Sequence, residues 1–434
     1  MKYVRTVSLI IALLVPLWGQ PQSYSLEELI KKAQQHDYQV RQLSKDQKIL
    51  SLRHKQLKST WLPELNANAG YQHQSRVPVI QLSFMPGNEI QAGVHDQYNF
   101  SLKLQHLVFD GFSRIWNSKI IKTQLKESEF KTQYRKQDIR FQITFKGYQI
   151  KLLELSHQTI RASLKRLKYQ QDKIKALYAQ GLSASLDTLE VASRIREMTI
   201  GLIELESNRR QLLADLEQMC GLSRIDSIMI DSPQPTVQTS VVSNTPIPIE
   251  ENLQMKLLKF KSELIGYQKK STTSSFLPTI TFFTSLNYGK PGLDFFRQEW
   301  MDYWLLGVNI SWNIWRWGRD KQEMQMNTIR LQQVELQRRE TEEVLQAQIQ
   351  KYRTQLRELE QKQLIYETLV QEKQEKYDLF KKHWEQGQKD ILEVLDAEQE
   401  LTSYELKVKQ NKLQSTIVYL LLDQLSGFTL SHVK

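Results

Sequence analysis

Two halves of this sequence carry the same pattern of residues in the same order. Ile349 lies 206 positions after Ile143, and the same separation relates Gly387 to Gly181. It holds for further pairs along the chain: Leu153 with Leu359, Leu186 with Leu392, Leu189 with Leu395, Leu216 with Leu422, and Gly221 with Gly427. A separation held over such distances indicates an internal duplication. We therefore expect one set of helices and strands to occur twice in the fold.

The first residues have the pattern of an export signal. Lys2 and Arg5 precede an apolar run from Val7 to Val15. This run is too short to cross a bilayer, for which a helix needs about 20 residues. The pattern predicts a signal peptide at 1–19, with an uncertain cleavage site, and an exported mature chain.

The two copies are separated by a segment rich in proline, serine and threonine. Its prolines are Pro233, Pro235, Pro246 and Pro248. Such a composition is typical of a linker. We therefore expect a first structural repeat at 20–222, an inter-repeat linker at 223–250 and a second structural repeat at 251–434.

Long helices are predicted within each copy. No proline occurs between Pro86 and Pro233 or after Pro291, and both tracts are rich in Gln, Glu, Lys, Leu and Arg. Apolar residues within them recur every three or four positions, as in the run Leu345, Ile349, Tyr352, Leu356 and Leu359. This spacing predicts helices packed side by side and nearly parallel. A helix filling most of the interval from Gly111 to Gly181 is roughly 100 Å long at 1.5 Å per residue.

Each copy also contains two short segments in which apolar and polar residues alternate. The alternation is clearest in the last of these segments. There Gly307, Asn309 and Ser311 alternate with an apolar row made of Trp304, Leu306, Val308, Ile310 and Trp312. Alternation over about ten residues fits a transmembrane β-strand with its apolar side towards lipid. It also fits a soluble antiparallel sheet with one face on a core. Aromatic residues at both ends of the segments favour lipid, because aromatic bands mark the two membrane interfaces.

Four lipid-facing strands cannot form a complete structure in one chain. An open sheet edge cannot lie in lipid, because its backbone groups would lack hydrogen-bond partners. Two chains would give eight strands, whose interior is filled by side chains. Three chains would give twelve strands around a lumen. We therefore expect the exported chain to form oligomers in contact with lipid, and a homotrimer is the simplest arrangement that leaves a lumen.

Composition argues against several other classes of function. The single cysteine, Cys220, excludes a disulfide framework, and no glycine-rich phosphate loop or H-E-x-x-H motif occurs. The formal net charge is +11, but the basic residues alternate with acidic ones along the predicted helices instead of forming a patch. We expect no catalytic residues, no metal or other cofactor, and no nucleic-acid partner.

The combined pattern resembles the TolC family of outer-membrane efflux proteins of Gram-negative bacteria. The resemblance rests on the turns Trp61-Leu62-Pro63, Phe276-Leu277-Pro278 and Val108-Phe109-Asp110-Gly111, and on two helix tips, Gln180 to Asp187 and Gln386 to Ala397. It implies an α+β, internally duplicated membrane protein with four strands per chain. Three chains would form a twelve-stranded β-barrel in the outer membrane and a periplasmic barrel of long antiparallel helices.

The resemblance also implies partners. A periplasmic adaptor, or membrane fusion protein, would dock on the tips at Gly181, Leu182, Ser183, Gly387 and Gln388. An inner-membrane pump of the RND, ABC or MFS type would supply the energy, so that the chain itself is a passive conduit for efflux or secretion.

A gate can be assigned by the same resemblance. Glu393 and Asp396 match the acidic residues that form rings at the narrowest point of the family's channels. Three copies would gather six carboxylates, which attract cations. Lys389 matches a basic residue that latches to an acid, here Asp187, and Trp384 matches an aromatic in that latch. The family type has Tyr and Arg in place of Trp384 and Lys389, which predicts a gate that is looser or linked differently.

An alternative function is a periplasmic coiled-coil adaptor or scaffold without a membrane barrel. Its strands would form a soluble sheet. Such a protein has no need of the apolar row from Trp304 to Trp312, which favours the channel.

Overall fold

A computed structural model describes residues 23–81, 89–91, 93–230, 247–294 and 296–427. The predicted signal peptide at 1–19 lies outside these residues. So does the segment 231–246, which makes up most of the predicted linker. The boundaries given above for the linker and the two repeats stay predictions.

The chain alternates short strands with helices of very unequal length. In chain order the helices are α1 (Leu26–His36), α2 (Tyr38–Ser59), α3 (Ser113–Ala179), α4 (Ser185–Cys220), α5 (Leu253–Thr273), α6 (Arg319–Glu385) and α7 (Ile391–Leu425). The strands are β1 (Ser23–Ser25), β2 (Glu64–His73), β3 (Val79–Gln81), β4 (Glu89–Gln91), β5 (Asp96–Phe109), β6 (Ser227–Met229), β7 (Thr279–Lys290) and β8 (Met301–Ser311). Short 3₁₀ turns lie at Ile249–Glu251 and Ser274–Phe276.

Corresponding elements of the two copies have matching lengths. Helices α3 and α6 each contain 67 residues. Helix α4 has 36 residues and α7 has 35, while α2 has 22 and α5 has 21. The internal duplication and the long helices are therefore confirmed. The connection from β2 to β5 in the first copy is longer than the connection from β7 to β8 in the second, and it includes the β3–β4 hairpin.

The four long strands form one antiparallel sheet in the order β2-β5-β7-β8. The central pair, β5 and β7, joins the first copy to the second, with a register shift between Leu107 and Phe109. The outer strands β2 and β8 each have one edge without a strand partner among the described residues. The sheet of a single chain is therefore open on both sides.

The predicted apolar row lies on one face of this sheet. Trp304, Leu306, Val308 and Ile310 all belong to β8 and are each at least 60% exposed, while Trp312 follows the end of the strand. The indole nitrogen of Trp312 donates a hydrogen bond of 3.1 Å to the Phe276 carbonyl. A monomer thus leaves this apolar face without a protein partner among the described residues.

Aromatic side chains gather where β5, β7 and β8 meet the connecting loops. The ring of Trp300 lies 5.0 Å from that of Tyr288 and 5.5 Å from that of Tyr98, measured between centroids. Tyr98 in turn lies 5.2 Å from Tyr71 of β2. These contacts join Tyr71, Tyr98, Tyr288 and Trp300 into one continuous aromatic cluster at the loop ends of the strands.

Each strand-to-helix junction contains two consecutive residues with positive φ. They are Gly111 (66°) and Phe112 (70°) in the first copy, and Trp317 (51°) and Gly318 (77°) in the second. At Gly111 space is also limiting, because an added Cβ would lie 2.6 Å from the Ser274 carbonyl oxygen. Glycine is therefore required there both for its backbone conformation and for the close approach of another segment.

The chain divides into two compact units. One contains Arg41–Arg135 and Pro248–Ala347, and so holds the four-stranded sheet. The other contains the chain up to Val40, Lys136–Ile247 and the chain from Gln348 onward. Its core includes α1, α3, α4 and the parallel β1–β6 pair, through Leu29, Ile30, Ile139, Ile143, Ile150, Leu213, Leu216 and Ile225. None of the helices described here is both long and apolar enough to cross a membrane.

Candidate gate at the helical tips

The two helix tips end in the same backbone motif. Gly181 has a φ of 73°, and Leu182 N–H donates to the Leu177 carbonyl at 2.9 Å. Gly387 has a φ of 71°, and Gln388 N–H donates to the His383 carbonyl at 2.8 Å. Both are Schellman caps, in which a left-handed residue, usually glycine, lets the chain leave the helix. The predicted tip residues, Ser183 included, therefore lie in two matching helix-to-helix turns.

Asp187 stabilises the start of α4. Its carboxylate accepts hydrogen bonds from the Ala184 N–H at 3.0 Å and from the Ser183 hydroxyl at 2.6 Å. A carboxylate at this position pairs with otherwise unbonded N–H groups and with the positive end of the helix dipole. Within the described chain Asp187 is thus engaged with residues of its own turn.

Lys389 is brought together with Glu393, not with Asp187. Its ammonium group forms an ion pair with the Glu393 carboxylate one helical turn along, and lies 4.2 Å from the centre of the Phe380 ring. The predicted latch from Lys389 to Asp187 is therefore not formed within the described part of a single chain. As a contact in the assembled protein it stays a prediction.

Trp384 lies in the apolar core beneath the second tip. It is 9% exposed and belongs to a cluster with Leu167, Ile174, Val191, Tyr377, Ile391, Val394, Leu395 and Leu401. This cluster joins α3 and α4 of the first copy to α6 and α7 of the second. The size of the indole therefore serves packing at this position, and its predicted part in the latch stays a prediction.

The two predicted gate acids lie on the exposed side of α7. The side chain of Glu393 is 45% exposed and that of Asp396 is 70% exposed, whereas Val394 and Leu395 are buried. Asp396 also has a partner from the other copy, since its Oδ1 lies 3.5 Å from Nη2 of Arg194 in α4. Each acid therefore faces one cation of its own chain.

An ion pair between Arg166 and a buried carboxylate next to these acids was not predicted from the sequence. Glu398 is 1% exposed and accepts a hydrogen bond of 3.0 Å from Nε of Arg166 in α3. The Thr402 hydroxyl completes the network, donating to Glu398 at 2.8 Å and accepting from Arg166 at 2.8 Å. Helix phase indicates that Glu398 is buried, although it does not identify the partner, because Glu398 lies four residues after Val394 and three before Leu401, both buried.

A second polar link holds α6 against α7. Glu400 accepts hydrogen bonds from the ammonium groups of Lys373 at 2.7 Å and Lys376 at 3.1 Å. These two hydrogen bonds hold the pKa of the Glu400 carboxyl below its ordinary value, and the bond from Lys373 has the larger effect. Among the described residues, no three His, Cys, Asp or Glu side chains are arranged to hold a metal ion.

Comparison with known proteins places this arrangement in a family. The profile of the outer membrane efflux protein family matches residues 29–222 and 249–427. A search of curated protein sequences gives no match. The family match thus covers both copies and both helix tips.

The fold is similar to those of solved outer-membrane proteins. VceC of Vibrio cholerae is 16% identical, with a TM-score of 0.74 over 93% of this chain and 96% of that one. The CmeC outer membrane channel of Campylobacter jejuni is 11% identical, with a TM-score of 0.73 over 93% and 85% of the two chains. The MtrE outer membrane channel of Neisseria gonorrhoeae, in its open state, is 15% identical, with a TM-score of 0.70 over 93% and 89%. Since the family profile covers most of the chain, this protein belongs to the outer membrane efflux protein family.

Proposed function

We propose that this outer-membrane channel subunit forms a passive homotrimeric conduit gated by Glu393 and Asp396. The observation that carries the proposal is the exposure of both carboxylates on one side of α7, whose other side is buried through Val394 and Leu395. Buried acids could not reach a channel axis, whereas exposed acids three residues apart can form two stacked rings. Such rings would attract cations and repel anions at the narrowest point.

The open sheet supports the trimeric part of the proposal. Within the described part of the chain, β2 and β8 each have one edge without a strand partner, and the row from Trp304 to Ile310 is exposed. Lipid would cover this apolar row, and neighbouring copies would pair the edges, as backbone groups in a bilayer require. Three copies supply twelve strands, the smallest number considered above that leaves a lumen.

The two tips are the proposed docking surface for a periplasmic adaptor. Gly181 and Gly387 have open space around them, since an added Cβ at either would meet no atom within 4 Å. Leu182 is 70% exposed beside the first of them. An adaptor could therefore contact backbone and apolar side chains there, and an inner-membrane pump of the RND, ABC or MFS type would act through it. We assign the chain no catalytic role, since its family is one of transport conduits.

The proposal is tested by the mass and conductance of the native protein. The full chain is extracted from separated outer membranes in mild detergent, its native mass is measured, and it is reconstituted into planar bilayers. We expect three copies per particle and a cation-selective conductance. A periplasmic monomer without conductance would contradict the proposal and favour the adaptor or scaffold, which neither the family match nor the structural likeness supports.

A further inference from the structure

The exposed side of α3 nearest the sheet is first apolar and then basic. Phe112, which precedes α3, is 50% exposed, and Ile115 in the first turn is 39% exposed. Lys119 and Lys122 follow and are exposed as well. Ile115, Lys119 and Lys122 lie four and three residues apart, so they share one side of the helix. With distance from the sheet, this side therefore changes from apolar to positively charged.

This side of α3 continues the apolar face of the sheet. Phe109 of β5 pairs with Ile280 of β7, which in turn pairs with Ile310 of the exposed apolar row. Residues directly opposite each other in antiparallel strands lie on the same face of a sheet. The ring of Phe109 lies 5.4 Å from that of Phe112, measured between centroids. The apolar face therefore extends through Phe112 onto α3, and the basic residues lie just beyond it.

Two lysines from different helices meet at one indole beyond this apolar end. The ammonium nitrogen of Lys119 lies 4.7 Å from the centre of the Trp116 ring, and that of Lys270 in α5 lies 5.1 Å from it. Trp116 stacks on Tyr267 of α5, with ring centroids 6.3 Å apart. Both rings are half-buried, whereas both lysines are exposed. Tryptophan and tyrosine beside lysine are typical of the boundary between membrane hydrocarbon and headgroups.

The sequence provides no acidic residue close to these lysines on their own helices. No Asp or Glu occurs between Asp110 and Glu127, or between Glu263 and Asp294. Asp110 is itself paired with Arg114. Like charges gathered at one place repel each other, and an anion between them offsets the repulsion. The two ammonium groups thus form a site that is complementary to a negatively charged ligand.

Positive charge also extends from α3 onto α2. Lys58 and Lys122 both lie near the imidazole of His54, whose pKa is held below its ordinary value by partial burial and then by these two charges. No Asp or Glu occurs between Asp46 and Glu64. Helices α2, α3 and α5 therefore present a basic band where they approach the sheet.

The helices that carry the two lysines at the indole are the middle ones of four. Nε2 of Gln47 in α2 donates to the Thr132 hydroxyl of α3 at 2.8 Å, and α3 contacts α5 through the stacked rings. On the far side of α5, Nζ of Lys261 donates to the Gln337 side chain of α6 at 3.1 Å. Copies that pair through the outer strands β2 and β8 would meet at α2 and α6, which adjoin those strands in the chain. The lysine site on α3 and α5 would therefore stay uncovered in the trimer.

We propose that Lys119 and Lys270 bind the phosphate of an anionic phospholipid in the periplasmic leaflet of the outer membrane. This inference rests on the proposed function, in which lipid covers the apolar row. The acyl chains would contact Phe112 and Ile115, and the phosphate would lie about 6 Å further from the sheet, at the level of Lys119. Each chain then holds one anionic lipid, and the trimer holds three.

The chemistry of the site favours an anionic headgroup over a zwitterionic one. Lysine side chains reach headgroups while their methylene stems stay on apolar surface. A zwitterionic headgroup brings an ammonium group of its own towards two cations, and this repulsion weakens its binding. Phosphatidylglycerol, which lacks such a group, is therefore the suitable probe, and phosphatidylethanolamine is its zwitterionic counterpart.

The test counts lipids on the native protein. The full-length trimer is purified in mild detergent containing the two phospholipids at equal mole fraction, and the retained lipids are counted by native mass spectrometry. Lys119→Gln combined with Lys270→Gln removes both ammonium groups. Each basic residue near an anionic surface contributes about fivefold in affinity, so we expect roughly thirtyfold weaker retention of phosphatidylglycerol. Lys119→Arg combined with Lys270→Arg keeps both charges and should retain phosphatidylglycerol as the wild type does.

The control removes two exposed lysines from the same two helices further from the sheet. Lys126→Gln combined with Lys259→Gln should retain phosphatidylglycerol as the wild type does. Equal losses in the two glutamine variants would indicate a general field effect and overturn the inference. So would equal retention of the two phospholipids by the wild type, or unchanged retention in the variant of Lys119 and Lys270.

Failure of the inference is distinguishable from failure of the proposed function. A trimer that conducts ions but retains no phosphatidylglycerol overturns the lipid site and leaves the conduit supported. A periplasmic monomer overturns both.

Discussion

Nη1 of Arg114 donates a hydrogen bond of 2.8 Å to the backbone carbonyl of Thr60, which follows α2. The same guanidinium donates at 2.9 Å to the carbonyl of Leu107 in β5 and at 3.1 Å to the Asp110 carboxylate. It also lies 4.1 Å from the centre of the Trp61 ring. One buried side chain therefore connects the end of α2, the end of β5 and the start of α3, where the chain enters and leaves the sheet.

Replacing Arg114 should strongly destabilise this junction. Arg114→Met leaves the largely buried Asp110 carboxylate without its cation and removes the guanidinium hydrogen bonds to the carbonyls of Thr60 and Leu107. Breaking a buried pair in this way costs about 3–5 kcal/mol. We expect a marked fall in the melting temperature of the detergent-solubilised protein, followed by circular dichroism. The control is Arg319→Met, at the exposed first residue of α6, which should melt as the wild type does. Equal melting of all three proteins would rule out the role given to Arg114.

Gly111 should tolerate substitution less well than Gly181. Both have positive φ, which costs any other residue about 1–2 kcal/mol. An added Cβ at Gly111 would also lie 2.6 Å from the Ser274 carbonyl oxygen, whereas at Gly181 it would meet nothing within 4 Å. We expect Gly111→Ala to lower the melting temperature clearly more than Gly181→Ala. Equal losses would mean that conformation alone accounts for the glycine at 111.

Much of the fold was predictable because it is local and repeated. The proline-free tracts and the three-and-four spacing of residues such as Ile143 and Ile349 require long helices. Alternation from Trp304 to Ile310 requires a strand with one apolar face. The order of the strands was not predictable, since the pairing of β5 with β7 joins segments from different copies. No local pattern specifies that pairing.

The candidate gate was predictable only in part, for a related reason. The exposed position of Glu393 and Asp396 follows from helix phase once Val394 and Leu395 are assigned to the core. The ion pair of Lys389 with Glu393 is also a local contact, four residues apart. Arg166 and Arg194 meet their partners on α7 only through tertiary packing, and the sequence contains no local signal for either pairing.

Removing both proposed gate acids should reduce cation selectivity. Glu393→Ala combined with Asp396→Ala deletes six carboxylates from a trimer, so that the K⁺ to Cl⁻ permeability ratio should fall severalfold. The measurement is the reversal potential under a salt gradient across a planar bilayer. The control, Glu372→Ala with Glu375→Ala, removes two exposed acids at the same spacing from α6. Unchanged selectivity in the gate variant, or an equal fall in both, would remove these residues from the gate.

Lys389→Ala tests the predicted latch. If Lys389 holds Asp187 in the assembled protein, its loss should raise the resting conductance, and Asp187→Asn should do the same. If Lys389 acts only through Glu393, its loss should raise cation selectivity with the resting conductance unchanged, because one carboxylate per chain becomes unpaired. We expect the first outcome. Resting conductances equal to that of the wild type in both variants would exclude the latch.

Cys220 should make the protein less stable at high pH. Burial raises the pKa of this thiol to about 11, from an ordinary value of 9.0, and the thiol donates to the Leu29 carbonyl at 3.4 Å. The folded chain therefore keeps the Cys220 thiol proton over a range of pH in which the unfolded chain has lost it. The stabilisation is complete below about pH 9 and is lost as the pH rises towards 11.

Cys220→Ala removes this dependence, although the cavity it leaves lowers stability at every pH. We expect the melting temperature to fall less for Cys220→Ala than for the wild type between pH 8.5 and 10.5, since all other titrating groups are shared. Parallel curves would show that the thiol is ionised alike in both states, and rapid alkylation of the native protein at pH 8 would agree with them.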